Sequence, residues 1–357
     1  MPDLTATGES GTLYAVILAG GKGERFWPLS TPETPKPFLR FFSDRSLLQQ
    51  TFDRALRFVS VDRVVLVAGE QHEKVSREQL PELPASQILL EPSGRDTAAA
   101  IGYAAMQLPV DAIMLVLPAD HLIPDQELFA ADVRTAASFV REHGGPCTFG
   151  IRPDRPETGY GYIEVGPEAL VPGIYPAKTF VEKPDRARAE EYVRHGSYFW
   201  NSGIFLWKVS RIRELIARHL PELWEGLHGM AVHGGQGRPS SEEDFRSRYE
   251  ALPRISIDFG VMQKADRVLV MPASFRWDDV GSWNSLTRVL PLNDDGNLIW
   301  GEHTGLETFD CILYGESLTM VTAGVRDLVV VQKGRHLLIC HRDYADRLKE
   351  LLAGLTK

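Results

Sequence analysis

An apolar run at residues 14–19 ends abruptly in a loop with three glycines among four residues, Gly20, Gly21 and Gly23. The run has no polar break, so it reads as a fully buried strand. Glycines directly after it let the backbone approach a ligand closely and turn its N–H groups inward as an anion-binding nest. Lys22, Arg25 and Lys36 add three cations around the same loop. Polyphosphate is the ligand this arrangement suits best. A plain glycine-rich turn is the alternative, but a loop this dense in glycine with a trailing arginine is rarely only structural. The P-loop string Gly-x-x-x-x-Gly-Lys-Ser/Thr is absent after the strand. The dinucleotide fingerprint begins at Gly21 and Gly23 but meets Phe26 where its third glycine belongs, which argues against a dehydrogenase.

The first half of the chain alternates strand-like and helix-like segments. Residues 64–68, 88–90 and 112–117 read as further strands, and 47–58 and 97–108 carry helical patterns. This rhythm implies a mainly parallel sheet with helices on both faces. Ligands of such sheets lie beyond the carboxyl ends of the strands. The glycine loop, Glu91-Pro92 and Pro118-Ala119-Asp120 each follow a strand directly, so they are expected at one edge. From 147 to 207 strand signals and Gly, Tyr and Trp become more frequent. After Trp283 short Val/Leu/Ile runs are separated by Gly and Asp, and 343–355 reads as an amphipathic helix with Tyr344, Leu348, Leu351 and Leu352 on one face.

Composition excludes several classes. A net charge of −9 argues against a broad nucleic-acid surface, although a local cationic cluster still suits a nucleotide. No apolar run approaches the roughly 20 residues of a membrane span. Residues 1–12 lack an apolar core and read as a flexible tail, not a signal peptide. The 3 cysteines, Cys147, Cys311 and Cys340, are widely spaced and odd in number, as expected of reduced thiols in a cytoplasmic protein without disulfides or a zinc site.

Val16-Ile-Leu-Ala-Gly-Gly-Lys-Gly-Glu-Arg-Phe-Trp-Pro-Leu29 with Pro35-Lys36 resembles the signature of the sugar-1-phosphate nucleotidyltransferases. Six further strings point within them to the bacterial mannose-1-phosphate guanylyltransferases. They are Glu91-Pro-Ser-Gly-Arg-Asp-Thr-Ala98, Pro118-Ala-Asp-His121, Thr158-Gly-Tyr-Gly-Tyr-Ile163, Phe180-Val-Glu-Lys-Pro184, Trp200-Asn-Ser-Gly-Ile-Phe205 and Trp277-Asp-Asp-Val-Gly-Ser-Trp283. All occur in family order. The resemblance implies an α/β fold with a Rossmann-like, GT-A-like, mainly parallel mixed sheet flanked by helices. A small C-terminal β-rich domain with a β-helix-like fragment and a terminal helix follows. The expected division is a tail at 1–12, a catalytic domain at 13–290 and the β-helix-like domain at 291–357.

The reaction implied is GMP transfer from GTP to mannose 1-phosphate, giving GDP-mannose and pyrophosphate by in-line attack on the α-phosphorus with Mg²⁺. Its nucleophile is already ionised, so no general base is required; cations, a divalent metal and backbone N–H groups carry the chemistry. The resemblance assigns catalytic cations to Arg25 (leaving phosphates), Lys36 (triphosphate) and Lys183 (sugar phosphate). The nucleotide falls to Leu18, Ala19, Gly20, Gly21, Gly23, Glu91, Arg95, Asp96, Pro118 and Ala119, and the sugar to Gly159, Gly161, Glu182 and Asn201. Asp120, just past a buried strand, is a natural Mg²⁺ ligand. Of Asp278 and Asp279, the resemblance selects Asp279 as its partner. Pro37 and Asp96 depart from the family pattern, where Gln and Asn are usual, and bear on base selectivity. Glucose 1-phosphate with UTP or dTTP, and a silent nucleotide-sugar sensor, are the competing readings. No nucleic-acid or membrane partner is expected, and a homodimer is admitted.

Overall fold

The computed structural model describes residues 11–21, 23–230 and 241–352. Lys22, expected among the loop cations, lies outside the described residues, as do tail positions 1–10 and residues 353–357, which include positions 353–355 of the expected terminal helix. The chain divides into two compact units. One is Met1–Gly20, Gln50–Ala119 and Ile123–Trp277; the other is Gly21–Gln49, Asp120–Leu122 and Asp278–Lys357. The expected boundary at 290/291 follows chain order, whereas these units follow packing.

The first unit is built on nine strands. These are β1 (Leu13–Ala19), β2 (Val64–Gly69), β3 (Ile88–Glu91), β4 (Ile113–Pro118), β5 (Cys147–Ile151), β6 (Gly161–Val165), β7 (Tyr175–Glu182), β8 (Tyr198–Lys208) and β9 (Leu269–Pro272). Their order is β3-β2-β1-β4-β8-β5-β9-β7-β6, with β6 also pairing β8. β3, β2, β1 and β4 run parallel, as the alternating rhythm requires. Beyond β4 the sheet is mixed: β8 is antiparallel to β4 and β5, β9 is parallel to β5, and β6 and β7 are antiparallel to each other. Tyr14 and Val16, Val65 and Val67, Met114 and Val116, and Phe205 and Trp207 alternate onto one face. Helices Asp96–Gln107, Val209–His219 and Pro221–His228 cover them. Ala15 and Ile17, Leu66, Ile113 and Leu115 on the opposite face are equally dry. Gly11 and Thr12, assigned to the tail by sequence, are bonded to the body: the Gly11 N–H donates to the Asp111 carbonyl, and the Thr12 carbonyl accepts from Ile113.

The second unit carries β10 (Leu298–Trp300), β11 (His303–Phe309), β12 (Ile312–Gly315), β13 (Met320–Arg326), β14 (Leu328–Lys333) and β15 (His336–His341). β10, β12 and β14 stack in parallel, as do β11 and β13, which is the ladder of a parallel β-helix fragment; β15 closes it antiparallel. Its core joins distant parts of the chain. Phe26, Leu29, Leu39 and Phe41 pack with Val280 and Trp283, and with Leu298, Ile312, Val329, Val331 and Leu338. The chain end winds as a 3₁₀ segment, Arg342–Arg347, before the helix Leu348–Leu352. With three residues per turn in that first part, Ala345 and Leu348 face the core while Tyr344 and Leu351 are exposed. The single apolar face expected from a continuous α-helix is therefore not formed.

Candidate active site

In the second unit, Gly23 has φ +60°, a left-handed conformation, and a methyl there would stand 2.6 Å from the Lys36 backbone nitrogen. Only glycine lets the loop lie against Pro35-Lys36 this closely. Its carbonyl accepts from the Ser30 hydroxyl at 2.7 Å and from the Phe26 N–H at 3.1 Å. Lys36 is buried, and its ammonium donates to Asp120 Oδ2 at 2.8 Å and to the Asp279 carbonyl oxygen. One lysine thus ties the two segments that carry the candidate metal carboxylates.

Those segments also meet through the backbone. Leu122 and Asp278 exchange both of their N–H···O bonds, at 2.9 and 3.1 Å, in an isolated antiparallel bridge. Asp120 and Asp279 flank that bridge closely, although 159 positions separate them in the chain. Asp278 has other duties: its carboxylate accepts two bonds from Arg288, at 2.9 and 3.0 Å, and one from the Val280 N–H at 2.8 Å. Val280, fully buried, has φ +48°. A β-branched residue in that region is strained, which marks the Asp279–Gly281 turn as held in place by its surroundings. At Gly281 an added methyl would lie 3.1 Å from Asp279 Oδ2 and 3.5 Å from Arg25 Nη1, so its bare backbone admits both groups. Arg25 is exposed and pairs with no carboxylate among the described residues.

Burial pushes the Asp120 carboxyl up, but the Lys36 ammonium and His121 more than offset this and hold it below the usual carboxylate range. An ionised hard-oxygen ligand beside a second aspartate fits a Mg²⁺-like ion, which takes one or two protein carboxylates and fills its remaining positions from water and phosphate. No group of three or more metal-ligating side chains occurs among the described residues.

In the first unit, the parallel strands bring Leu18, Ala19 and Gly20, Glu91, and Pro118 and Ala119 to one sheet edge; the Ala119 N–H donates to the Leu18 carbonyl at 3.0 Å. Glu91 is buried and accepts from the Tyr249 hydroxyl at 2.7 Å. Burial raises its pKa against that hydrogen bond. Arg95 Nε is buried without a hydrogen-bond partner among the described residues. Asp96 sits at φ +67° and its Oδ1 accepts from the Thr97 N–H at 2.8 Å. That left-handed position is one asparagine and aspartate tolerate better than most residues, so the departure from the family pattern is conformationally mild.

The residues expected at the sugar converge through the mixed part of the sheet. Gly161 pairs with Glu182 across β6–β7, and the next residue, Tyr162, pairs with Trp200 across β6–β8. A methyl on Gly161 would collide with Glu182 Oε2, so glycine there makes room for the carboxylate. The β5–β8 register shifts between Thr148 and Gly150, the residue that pairs with Asn201. Asn201 Oδ1 accepts from the Gly203 N–H at 3.2 Å, and its Nδ2 donates to Asp258 at 2.7 Å. Lys183 is exposed at φ +49°, with its N–H donating to the Tyr160 carbonyl. Gly159 N–H donates to Glu157 at 3.1 Å. Burial first, then the neighbouring Asp258 charge, raises Glu182 to about 7 against the pull of Lys183. Trp200 packs against Tyr160 and under the Arg155 guanidinium.

Sequence reasoning missed Tyr249 and Asp258. Tyr249 lies 158 positions from Glu91, and no local pattern links them. Asp258 carried one signal, a lone carboxylate between apolar neighbours in Ile255-Ser-Ile-Asp-Phe-Gly260.

Residues 14–294 match the family model described as nucleotidyl transferase. The chain belongs to that family. Residues 301–355 match a second model, the MannoseP isomerase/GMP-like beta-helix domain. Nucleotidyltransferases of this family generally use a divalent metal. The chain is similar to an Escherichia coli K12 protein named mannose-1-phosphate guanylyltransferase, with 38% identity over 95% of this chain and 73% of that one. It is also 38% identical to the Pseudomonas aeruginosa alginate biosynthesis protein AlgA, over 96% of this chain and 72% of the relative. A Thermus thermophilus crystal structure, described as a mannose-1-phosphate geranyltransferase, superposes with a TM-score of 0.86 at 38% identity, covering 97% of this chain and 100% of that one. No helix among the described residues is long and apolar enough to cross a membrane.

Proposed function

We propose that this nucleotidyltransferase transfers GMP from GTP to mannose 1-phosphate, releasing pyrophosphate and forming GDP-mannose, with Mg²⁺ as its metal. The observation that carries the chemistry is Lys36, a buried cation bonded at once to Asp120 and to the Asp279 backbone. A buried cation bonded to one carboxylate and to the backbone of a second aspartate suits phosphoryl chemistry, where charge is neutralised and no hydroxyl needs deprotonation. The choice of base and sugar rests on likeness to the E. coli guanylyltransferase.

In this reading Asp120 and Asp279 hold Mg²⁺, which when bound offsets the charge of the phosphates. Lys36 keeps the two segments that carry those carboxylates in register and adds positive charge along the triphosphate. Arg25 binds the phosphates that leave as pyrophosphate, using its planar fork of donors. Lys183 takes the phosphate of the sugar, and Glu182 accepts from its hydroxyls. Glu91 and Arg95 are the groups offered to the base. Pyrophosphate release measured across four nucleoside triphosphates and several sugar 1-phosphates, with and without Mg²⁺, tests the assignment. GTP with mannose 1-phosphate should give the highest kcat/KM. Equal or better use of UTP or dTTP with glucose 1-phosphate would leave only the family.

A further inference from the structure

We propose that Asp258 is a specificity-determining residue of the sugar pocket, a carboxylate held by Asn201 beside Glu182 to accept a hydroxyl of the sugar 1-phosphate. The inference rests on nucleotidyl transfer to a sugar phosphate and adds a residue to it.

Asn201 is largely committed before any ligand arrives. Its Oδ1 accepts from the Gly203 N–H and lies 3.2 Å from the Thr148 hydroxyl, and one of its two Nδ2 hydrogens goes to Asp258. One donor and little acceptor capacity remain, so Asn201 serves the pocket chiefly by fixing Asp258. The point where a Gly161 methyl would stand abuts Glu182 Oε2 and lies 3.3 Å from Asn201 Cβ, so Glu182 and Asp258 both neighbour the Asn201 side chain. Glu182 Oε2 is buried and has no hydrogen-bond partner among the described residues. The cluster therefore holds more acceptors than donors. Of the charged groups acting on it, Asp96 is acidic and Lys183 basic, and burial pushes the Asp258 and Glu182 carboxyls upward. A phosphate would be repelled from this side; a polyol, rich in O–H donors, would satisfy it.

The backbone under Asp258 is built for position. Residues Asp258–Met262 form a π-helical turn in which the Asp258 carbonyl accepts from the Gln263 N–H at 3.0 Å. Such turns are rare and concentrate at functional sites. The Ile257 N–H donates to the Thr97 hydroxyl at 2.8 Å, and the Ala98 N–H to the Ile255 carbonyl, anchoring the turn to the start of helix Asp96–Gln107.

Calorimetric titration of the full chain with mannose 1-phosphate, its 2-, 3-, 4- and 6-deoxy analogues, and GTP tests the proposal in wild type and Asp258→Asn. The substitution should weaken mannose 1-phosphate by about 10- to 100-fold, as expected for one charge-assisted hydrogen bond. GTP affinity should stay within about twofold, since no nucleotide contact is removed. One deoxy analogue, penalised in wild type, should carry no further penalty in the variant. If Asp258→Asn fails to fold, Asn201→Ser, which frees the carboxylate from its anchor, is read with the same analogues. Unchanged sugar-phosphate affinity, or equal penalties for every analogue in both proteins, would remove Asp258 from the pocket while leaving the transferase reading intact. A wild-type chain that binds no sugar 1-phosphate would overturn both.

Discussion

Asp120 and Asp279 are the residues on which turnover should depend most sharply, because their charge is the only part an asparagine would remove. Asp120→Asn and Asp279→Asn should each lower kcat by about 100-fold or more and weaken Mg²⁺ dependence, read by pyrophosphate release against metal concentration. Asp278→Asn should behave differently. It breaks the paired bonds to Arg288 in a buried setting, so a stability loss of about 1–3 kcal/mol is expected in thermal or urea unfolding. Glu182 offers a test in pH. In the unfolded chain it titrates near 4.5, and in the folded one near about 7. Between those values the folded state holds the extra proton, so stability falls as pH rises through the window and the loss is complete above it. Glu182→Gln should therefore raise Tm by roughly 2–6 °C at about pH 8 and leave it nearly unchanged at about pH 4. The same variant should bind sugar phosphate poorly. That combination separates a functional carboxylate kept at a cost from a structural one.

At the scale of elements, the glycine loop is a packed turn. Gly23→Ala places its methyl 2.6 Å from backbone, which cannot yield as a side-chain tip can, in a conformation alanine resists. It should displace Lys36, and so lower kcat and stability together, whereas Gly20→Ala, with open space around it, should do neither through packing. The parallel half of the sheet was legible in the sequence because β1 and β4 are continuous apolar runs ended by Gly or Pro. The mixed half was not. Strand periodicity shows that β6, β7 and β8 exist but carries no information on which edge each one joins. The candidate residues after β1, β3 and β4 were legible for the same reason. The Leu122–Asp278 bridge, the Glu91–Tyr249 bond and the Asn201–Asp258 bond depend on encounters between segments 57 to 158 positions apart, and local sequence is silent on them.

Across the whole molecule, the C-terminal strands share a core with the segment that follows the glycine loop. Phe26, next to Arg25, packs in the same cluster as Val329, Val331 and Leu338. Leu338→Ala should destabilise by about 2–4 kcal/mol and speed hydrogen exchange in residues 24–41, far from it in sequence. Slow exchange in that segment despite the loss in β15 would show that the loop is held by other means.

The interleaving of the chain sets the order in which a newly made polypeptide can finish. Phe26 and Phe41 leave the ribosome early, and their partners on β14 and β15 follow about three hundred residues later. At roughly 5–20 residues per second, these aromatic side chains wait on the order of 15 to 60 seconds for the rest of their core. During that time the stretch from Arg25 to Phe41 holds apolar surface with nothing of its own to cover it. A nascent chain released before β14 should accordingly be a client for chaperones or proteases, cut first within this stretch.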